Sequence, residues 1–441
     1  MPPRGQRRAA TLRFVAVGIV TAIALIFFGS PPMPDGLRWA QKARSRAALR
    51  LSAAHAGAYA PLDALPLRAA EAPPADESWF THFPDAATWA ATPRDITLVT
   101  QVGEGRIQYA GGVVARWDGP VVLALYVADA SADARVRSQV AALRLPQRVT
   151  LLWLTANNAS APYPINALRN AAIASVRTSH FFLVDVDFFP SGATYGLMRA
   201  LPPALLADPH ALFTPPAFTT SGASLQAHIL ACKSAGCIER AVPESAEELT
   251  ACASLEQCQR FCRPCEAHST ANYTRWQATS AGEAVAPATE CFRSHLYEPY
   301  LLVPATRETP RFNEGFEGYG KNKIEWVHHL RFAGFTFRTL SRGAFVVHVV
   351  HRKSESNALW KQNAGRIQGR NNALYWAWMK HLSTRYAGAE RGQLPICPGK
   401  SAALFERKVA SAAAMLFAPP RPVLVDEAAQ SAALADDAVV I

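Results

Sequence analysis

The chain has 441 residues and half of them are hydrophobic, which excludes a disordered protein and allows a large buried core. The net charge is +11, but the first 50 residues hold nine Lys or Arg and one Asp, so little net charge remains for the rest. Nucleic-acid-binding proteins concentrate basic residues on the folded domain, and this distribution therefore argues against that function.

An uncharged apolar run at residues 14–28 follows four arginines near the N-terminus. A helix of this length would span roughly 22 Å, which is short for a bilayer core of about 30 Å but acceptable in thinner early-secretory membranes. The preceding basic residues favour a cytoplasmic N-terminus and a lumenal remainder. We therefore predict a tail at residues 1–13 and a transmembrane signal-anchor at residues 14–29, with a cleaved signal peptide as the alternative.

Residues 30–92 are rich in Ala and Pro and predict a stem. Strand-like apolar runs and helical patterns alternate after it, which predicts an α/β domain with a mostly parallel sheet and helices on both faces. In such folds ligands bind at the carboxyl ends of the strands. The predicted strands lie at 95–102, 119–129, 148–155, 180–190, 297–304, 335–340 and 343–351, and the helices at 132–145, 165–179 and 371–387.

The fourth apolar run carries the sequence Asp185-Val186-Asp187. Strand alternation places both carboxylates on one face, about 6–7 Å apart. Such carboxylates repel each other unless a cation separates them, and a divalent metal that neutralises a nucleotide diphosphate would do so. The alternative is a turn in which the aspartates cap the next helix.

Seven of the eight cysteines lie between Cys232 and Cys291, and the eighth is Cys397. Dense, even-numbered cysteines predict a disulfide-rich insertion at residues 232–291 and an oxidising compartment. The alternative is a zinc-stabilised interaction module, for which the candidate ligands are Cys258, Cys262, Cys265 and His268.

A glycine-bearing loop at residues 313–326 combines aromatic side chains with acids. Aromatic and acidic side chains on such a loop suit a carbohydrate acceptor site, and Glu314 and Glu317 are candidate general bases. An ordinary turn is the alternative.

Two histidines, His348 and His351, end a late strand. Imidazole is a common ligand of Mn²⁺-like ions, so His348 could complete a site with Asp187. Arg352 and Lys353 follow and could bind diphosphate oxygens. The alternative for both histidines is a half-buried structural role.

Taken together, several stretches resemble the LARGE-type and β-1,4-glucuronyltransferase-like enzymes of glycosyltransferase family 49. These are DITLVTQV, WDGPVVLALYVAD, YPINALRNAAIASVRTSHFFLVDVDFFPSG, TANYTRW, YEPYLLV, FEGYGKNK and VVHVVH, in that order between about residues 95 and 386. The resemblance implies a GT-A fold, a single-pass type II Golgi (or ER) membrane protein with a lumenal catalytic domain, and bound Mn²⁺. It also implies inverting transfer from a UDP-sugar, characteristically UDP-glucuronate, to a glycan or glycoprotein acceptor.

The resemblance also implies roles for individual residues. The metal would be bound by Asp185, Asp187 and His348. The resemblance also implies a GT-A domain over residues 93–390, which an extension at 391–441 follows. Residues 232–265 have more cysteine than the family pattern, which leaves the acceptor open. A xylosyl- or N-acetylglucosaminyl-type transferase, or a glycan-binding protein without turnover, is the alternative function. The donor-binding and loop residues would be Thr100, Gln101, Asp129, Arg169, Asn170, Asp185, Gly318, Gly320, Asn322 and Lys323.

Overall fold

A computed structural model describes residue 80 and residues 82–156, 163–261, 266–279, 285–351 and 364–412, without the side chains of 364–367. The predicted tail and anchor, residues 30–79 of the stem, and the chain after residue 412 lie outside these ranges, as do Cys262, Cys265, Arg352 and Lys353. Across the described ranges, no helix is both long enough and apolar enough to cross a membrane.

Among the described residues, twelve strands form two sheets. They are β1 Ile96–Gly103, β2 Val121–Val127, β3 Val149–Thr155, β4 His180–Leu183, β5 Phe188–Pro190, β6 Ala211–Thr214, β7 Ala217–Thr220, β8 Cys258–Arg260, β9 Val285–Ala288, β10 Leu301–Pro304, β11 Thr336–Leu340 and β12 Val346–His348. The larger sheet has the order β3-β2-β1-β4-β10-β6-β11-β9, and the smaller has the order β5-β12-β7-β8.

The helices cover the larger sheet and build the insertion. They are α1 Ala86–Ala90, α2 Ile107–Ala115, α3 Asp133–Ala142, α4 Ile165–Ala174, α5 Thr194–Arg199, α6 Pro203–Leu206, α7 Ala223–Ala231, α8 Ala235–Arg240, α9 Ala246–Ser254, α10 Tyr273–Ala278, α11 Ile324–Phe332, α12 Ala364–Arg385 and α13 Lys400–Ser411.

The larger sheet is parallel through β3, β2, β1 and β4, and β10 then pairs antiparallel between β4 and β6. Alternate residues of β1 enter two different cores, since Leu98 packs in the core that contains α2 and Val99 in the core that contains α4. Burial on both faces explains why these strands are almost continuously apolar. The predicted α/β fold, with helices on both faces of the sheet, is confirmed.

The prediction of one strand over residues 180–190 is wrong. Strand β4 ends at Leu183, and the backbone N–H of Phe188 donates to the carbonyl of Asp185 at 2.9 Å. The chain turns here because β5 leaves the larger sheet and pairs with β12 in the smaller one. Strand alternation therefore does not determine where the side chains of Asp185 and Asp187 point.

Where the structure describes the cysteines, disulfides join three pairs, namely Cys232–Cys237, Cys252–Cys258 and Cys291–Cys397. The prediction of a disulfide-rich insertion is confirmed for these pairs. The zinc alternative is wrong at Cys258, because its sulfur is bonded to Cys252. The third disulfide connects the insertion to the segment before α13, which packs Phe405 into a small core with Trp378.

Packed structure begins upstream of residue 93. Phe80 and Phe83 are buried in the same core as α4. Trp89 is fully buried, and its indole Nε1 donates to the carbonyl of Ser179 at 2.6 Å. These residues belong to the folded domain, although their Ala- and Pro-rich surroundings resemble a stem.

Candidate functional site

The candidate site lies where the chain leaves the carboxyl end of β4. The turn that follows carries Asp187, and the backbone N–H of Val349 donates to the Asp187 carbonyl at 2.8 Å. Strand β12 pairs antiparallel with β5 in a register that places His348 opposite Phe188. The two sheets thus bring a carboxylate and a histidine together from positions far apart in sequence.

Asp187, His348 and His351 form a candidate metal-binding cluster, in which one ligand atom from each residue lies within 4.8 Å of the other two. Nε2 of His351 is 3.0 Å from Oδ2 of Asp187. One carboxylate and two imidazoles are a donor set that suits Mn²⁺ and other divalent transition-metal ions. The predicted partnership of Asp187 and His348 is thus observed as a spatial cluster, and the structure adds His351 to it.

The electrostatic environment lowers the pKa values of Asp187 and His348, which favours the protonation states that bind a cation. Burial alone would raise the pKa of Asp187, but the hydrogen bond with His351 and the charge of Arg106 outweigh it and lower that pKa. Burial also lowers the pKa of His348, which favours the neutral imidazole that metals bind. The Thr219 hydroxyl lies 3.2 Å from Nδ1 of His348 and fixes the ring.

Asp185 is engaged differently from Asp187. Its Oδ1 accepts a hydrogen bond from Arg169 at 2.9 Å, while its Oδ2 accepts from Tyr300 at 3.0 Å and lies 3.3 Å from Nζ of Lys323. The charges of Lys323 and Arg169 overcome burial and hold the pKa of Asp185 well below its usual range. Since both oxygens already have cationic or hydroxyl partners, Asp185 stands apart from the cluster of Asp187 and the two histidines.

Arg169 also ties α4 to the glycine-bearing loop. Its Nη1 donates to Oδ1 of Asn166 at 3.2 Å and to Oδ1 of Asn322 at 3.1 Å. Asn322 in turn donates to the Gly318 carbonyl at 2.8 Å. The orientation of Asp185 and the path of the loop therefore depend on the same guanidinium group.

The loop has a defined backbone rather than that of an ordinary turn. Gly318, Gly320 and Lys321 adopt positive φ angles of 66°, 98° and 65°, a region that glycine enters at little cost. The amide of Asn371 donates to three loop carbonyls between residues 317 and 320, at 3.0–3.3 Å. The ring of Tyr319 is 64% exposed at the loop tip, where it is available to a ligand.

The remaining predicted donor residues have structural contacts. Thr100 and Gln101 are buried in β1, and Gln101 accepts a hydrogen bond from the Tyr163 hydroxyl. Asp129 is exposed and caps a short 3₁₀ turn by accepting from the backbone N–H of Ser131 at 2.9 Å. Asn170 donates to the Phe312 carbonyl at 2.9 Å, which anchors the chain just before the loop.

The two predicted general bases are both paired. Glu314 accepts hydrogen bonds from Asn170 and from Arg311, each at 2.8 Å. Glu317 accepts from Arg370 at 2.8 Å.

Sequence reasoning missed Arg106 and Tyr300, and it ranked His351 below His348. Nη1 of Arg106 lies 2.7 Å from Oδ2 of Asp187, and the Tyr300 hydroxyl bonds Asp185. Arg106 closes the short turn after β1, so the rule that ligands bind at the carboxyl ends of strands was a signal for it. Tyr300 carried no such signal, because β10 runs antiparallel and reaches this edge with its first residues.

A model of the family described as glycosyl-transferase for dystroglycan matches residues 137–387. The chain is 30% identical over 305 residues to xylosyl- and glucuronyltransferase LARGE2 of Rattus norvegicus, which covers 67% of this chain and 40% of the relative. It is 27% identical over 277 residues to LARGE1 of Homo sapiens, covering 62% and 34% respectively. The chain thus spans well under half the length of these relatives.

Two solved structures are similar at low identity. S. aureus TarS residues 1–349 in complex with UDP has a TM-score of 0.32 at 12% identity, covering 67% of this chain and 73% of that one. GalNAc-T7 with UDP, GalNAc and Mn²⁺ has a TM-score of 0.34 at 9% identity, covering 67% and 52%.

Proposed function

Since the chain belongs to the family described as glycosyl-transferase for dystroglycan, we propose that it transfers a sugar from a UDP-sugar to a hydroxyl group of a glycan or glycoprotein acceptor. The sugar is glucuronate, and transfer inverts the anomeric carbon. The names of the relatives, which are xylosyl- and glucuronyltransferases, support this donor and make xylose the nearest alternative.

One observation carries the proposal, namely the cluster of Asp187, His348 and His351 at the carboxyl end of β4. These residues would hold Mn²⁺. When bound, the ion supplies positive charge that offsets the negative charge developing on the diphosphate leaving group. A protein that only binds glycans has no use for a site of this kind.

The neighbouring residues would contact different parts of the donor and the acceptor. Asp185, held by Arg169, Tyr300 and Lys323, would accept a hydrogen bond from a donor hydroxyl or from the water shell of the metal. Arg106 would contact diphosphate oxygens from the other side of Asp187. The loop around Gly318 and Gly320 would form the acceptor side, with Tyr319 stacking on a sugar ring.

The location of the protein is part of the same proposal. We place it in the Golgi or ER membrane as a single-pass type II protein, with the catalytic domain in the lumen. The apolar run at residues 14–28 and the basic residues before it support this orientation. The disulfides support an oxidising compartment.

A donor panel tests the proposal directly. The full chain is incubated with Mn²⁺, a set of oligosaccharide acceptors, and UDP-glucuronate, UDP-xylose or UDP-N-acetylglucosamine in turn, and UDP release and product mass are measured. We expect acceptor-dependent UDP release from UDP-glucuronate that EDTA abolishes. Glycan binding without UDP release from any donor would support the glycan-binding alternative and contradict the proposal.

A further inference from the structure

The side chain of Glu298 has no role in the site as described so far. Glu298 lies three residues before β10, whose Leu301 pairs antiparallel with Leu183 of β4. Two residues after Glu298, the Tyr300 hydroxyl donates to Oδ2 of Asp185 at 3.0 Å, which places Glu298 close to the turn that holds Asp185 and Asp187. Pro299 follows it and favours an extended backbone at Glu298, which keeps this segment in line with the strand.

The backbone of Glu298 is anchored and its side chain is not. The Glu298 N–H donates to the carbonyl of Ala267 at 2.9 Å, which joins it to the insertion. Within the part of the chain that the structure describes, no donor bonds its carboxylate and no cation lies within ion-pair distance of it. Besides burial, the charges of Lys321 and Lys323 on the loop, Arg169 on α4 and Asp185 in the turn act on the pKa of Glu298.

The buried carboxylate of Glu325 shows what a structural glutamate looks like in this fold. Glu325 accepts from the backbone N–H of Asn313 at 2.8 Å, from Asn166 at 3.2 Å and from the indole of Trp378 at 3.0 Å. Buried polar groups in proteins are almost always satisfied in this way. The partly exposed Glu298 lacks such partners among the described residues, and its charge adds to burial in raising the pKa of Tyr319 at the loop tip.

We infer that Glu298 is the general base that accepts the proton of the acceptor hydroxyl. This inference rests on the proposed function. As that proton moves to the Glu298 carboxylate, the acceptor oxygen forms a bond to the anomeric carbon. The bond from this carbon to the diphosphate oxygen breaks, and UDP leaves with the electron pair. The reaction is balanced without an oxidant, a reductant or a further reactant.

The electrostatic environment is consistent with this role. Burial raises the pKa of Glu298 above its usual value, with the charge of Lys323 opposing this effect and that of Asp185 adding to it. A general base works best when its pKa lies close to the operating pH. Glu314 and Glu317, by contrast, are each paired with an arginine.

The test compares Glu298→Gln with Glu290→Gln, an exposed glutamate of the same segment that serves as the matched control. Transfer is measured at saturating UDP-glucuronate and Mn²⁺, and UDP binding is measured separately by calorimetry. We expect Glu298→Gln to lower kcat by about 10²–10³-fold, with the Kd for UDP unchanged, because general-base catalysis supplies a factor of this size. Glu290→Gln should retain wild-type kcat.

Several outcomes decide the inference. Wild-type kcat in Glu298→Gln, or loss of kcat in Glu314→Gln or Glu317→Gln alone, would overturn it while leaving the proposed function intact. Absence of UDP release by the wild-type protein would instead defeat the proposed function. If Glu298→Gln does not fold, the turnover of Glu298→Ala is measured with and without added formate. Restored turnover supports a proton acceptor here, and no restoration with UDP binding intact overturns it.

Discussion

Nη1 of Arg106 lies 2.7 Å from Oδ2 of Asp187, the same oxygen that Nε2 of His351 approaches at 3.0 Å. The side chain of Asp187 is only 8% exposed, so solvent screens its ion pair with Arg106 only weakly. A metal ion at Asp187 must therefore share this carboxylate with a guanidinium group. That competition connects metal affinity to a residue outside the ligand set.

Replacing Arg106 should tighten metal binding. In Arg106→Ala the carboxylate of Asp187 loses a competing cation, and we expect the Kd for Mn²⁺ to fall by about 5- to 10-fold in nucleotide-free protein, the equivalent of about 1 kcal/mol. Calorimetric titration with Mn²⁺ measures it. Arg137→Ala, which breaks an exposed ion pair on α3, is the control and should leave the Kd unchanged. A weaker affinity in Arg106→Ala would show that Arg106 organises the site instead.

The two aspartates should differ in their roles. We expect Asp187→Asn to lower transfer by about 10²–10³-fold and to abolish Mn²⁺ binding, because it removes the charged ligand of the cluster. Asp185→Asn should retain Mn²⁺ binding and lose affinity for UDP-glucuronate. Calorimetry with Mn²⁺ alone and then with the donor separates the two effects. Asp118→Asn, at an exposed aspartate, serves as the control, and equal loss of Mn²⁺ affinity in both site variants would contradict the assignment.

Glu325 should be a strong stability determinant. Glu325→Gln places an amide donor against a neighbouring donor, the indole N–H of Trp378, and should lower the free energy of unfolding by about 1–3 kcal/mol. Urea unfolding measures it, with the exposed Glu406→Gln expected within about 0.5 kcal/mol of wild type. The combination of Glu325→Gln with Trp378→Phe should cost less than the sum of the single changes. Strict additivity would mean that this hydrogen bond contributes little.

The disulfides should contribute unequally. Cys291 and Cys397 are 106 residues apart, whereas Cys232 and Cys237 are separated by 5. In the chain-entropy account, a loop closed over the longer separation stabilises by roughly 4–5 kcal/mol and the shorter one by about 2 kcal/mol. We expect this order when each pair is replaced by alanines and unfolding is followed in urea without reductant. Equal losses would point to native-state packing rather than loop closure.

Stability should fall as the pH is lowered below about 6.5. Burial lowers the pKa of His268 to about 3, with the charge of Lys323 adding to the effect, and it lowers the pKa of His180 to about 3 as well. Each histidine stays neutral in the folded protein while the unfolded chain binds a proton. Stability therefore falls between the unfolded-state pKa of about 6.5 and the folded-state pKa of about 3, and it is constant above about pH 6.5.

His268→Phe tests this dependence. The substitution removes one proton-binding group, and Nε2 of His268 has no hydrogen-bond partner among the described residues, so no contact of that atom is lost. Between pH 7.5 and pH 5.0 the wild type should lose about 2 kcal/mol more than the variant, measured by urea unfolding at both pH values. The same loss in both proteins would show that His268 already carries a proton in the fold.

The layered fold and the presence of disulfides could be predicted from sequence patterns alone. The apolar runs that predicted β1, β2 and β3 end within two residues of the observed strands, because burial on both faces requires continuous apolar side chains. The cysteine pattern predicted the disulfides, and Asp187 and His348, both assigned to the metal site from the sequence, lie in one cluster. These features depend on short-range periodicity or on chemistry that few residue types can supply.

The tertiary structure decided how those residues are used. Asp185 and Asp187 are two positions apart, yet one contacts Arg169, Tyr300 and Lys323 while the other contacts His351 and Arg106. The chain turns between the two sheets at this point, and the partners arrive from 16 to 164 residues away in sequence. Contacts between such distant segments are set by how helices, the antiparallel β10 and the loop pack together, and no local pattern encodes that packing.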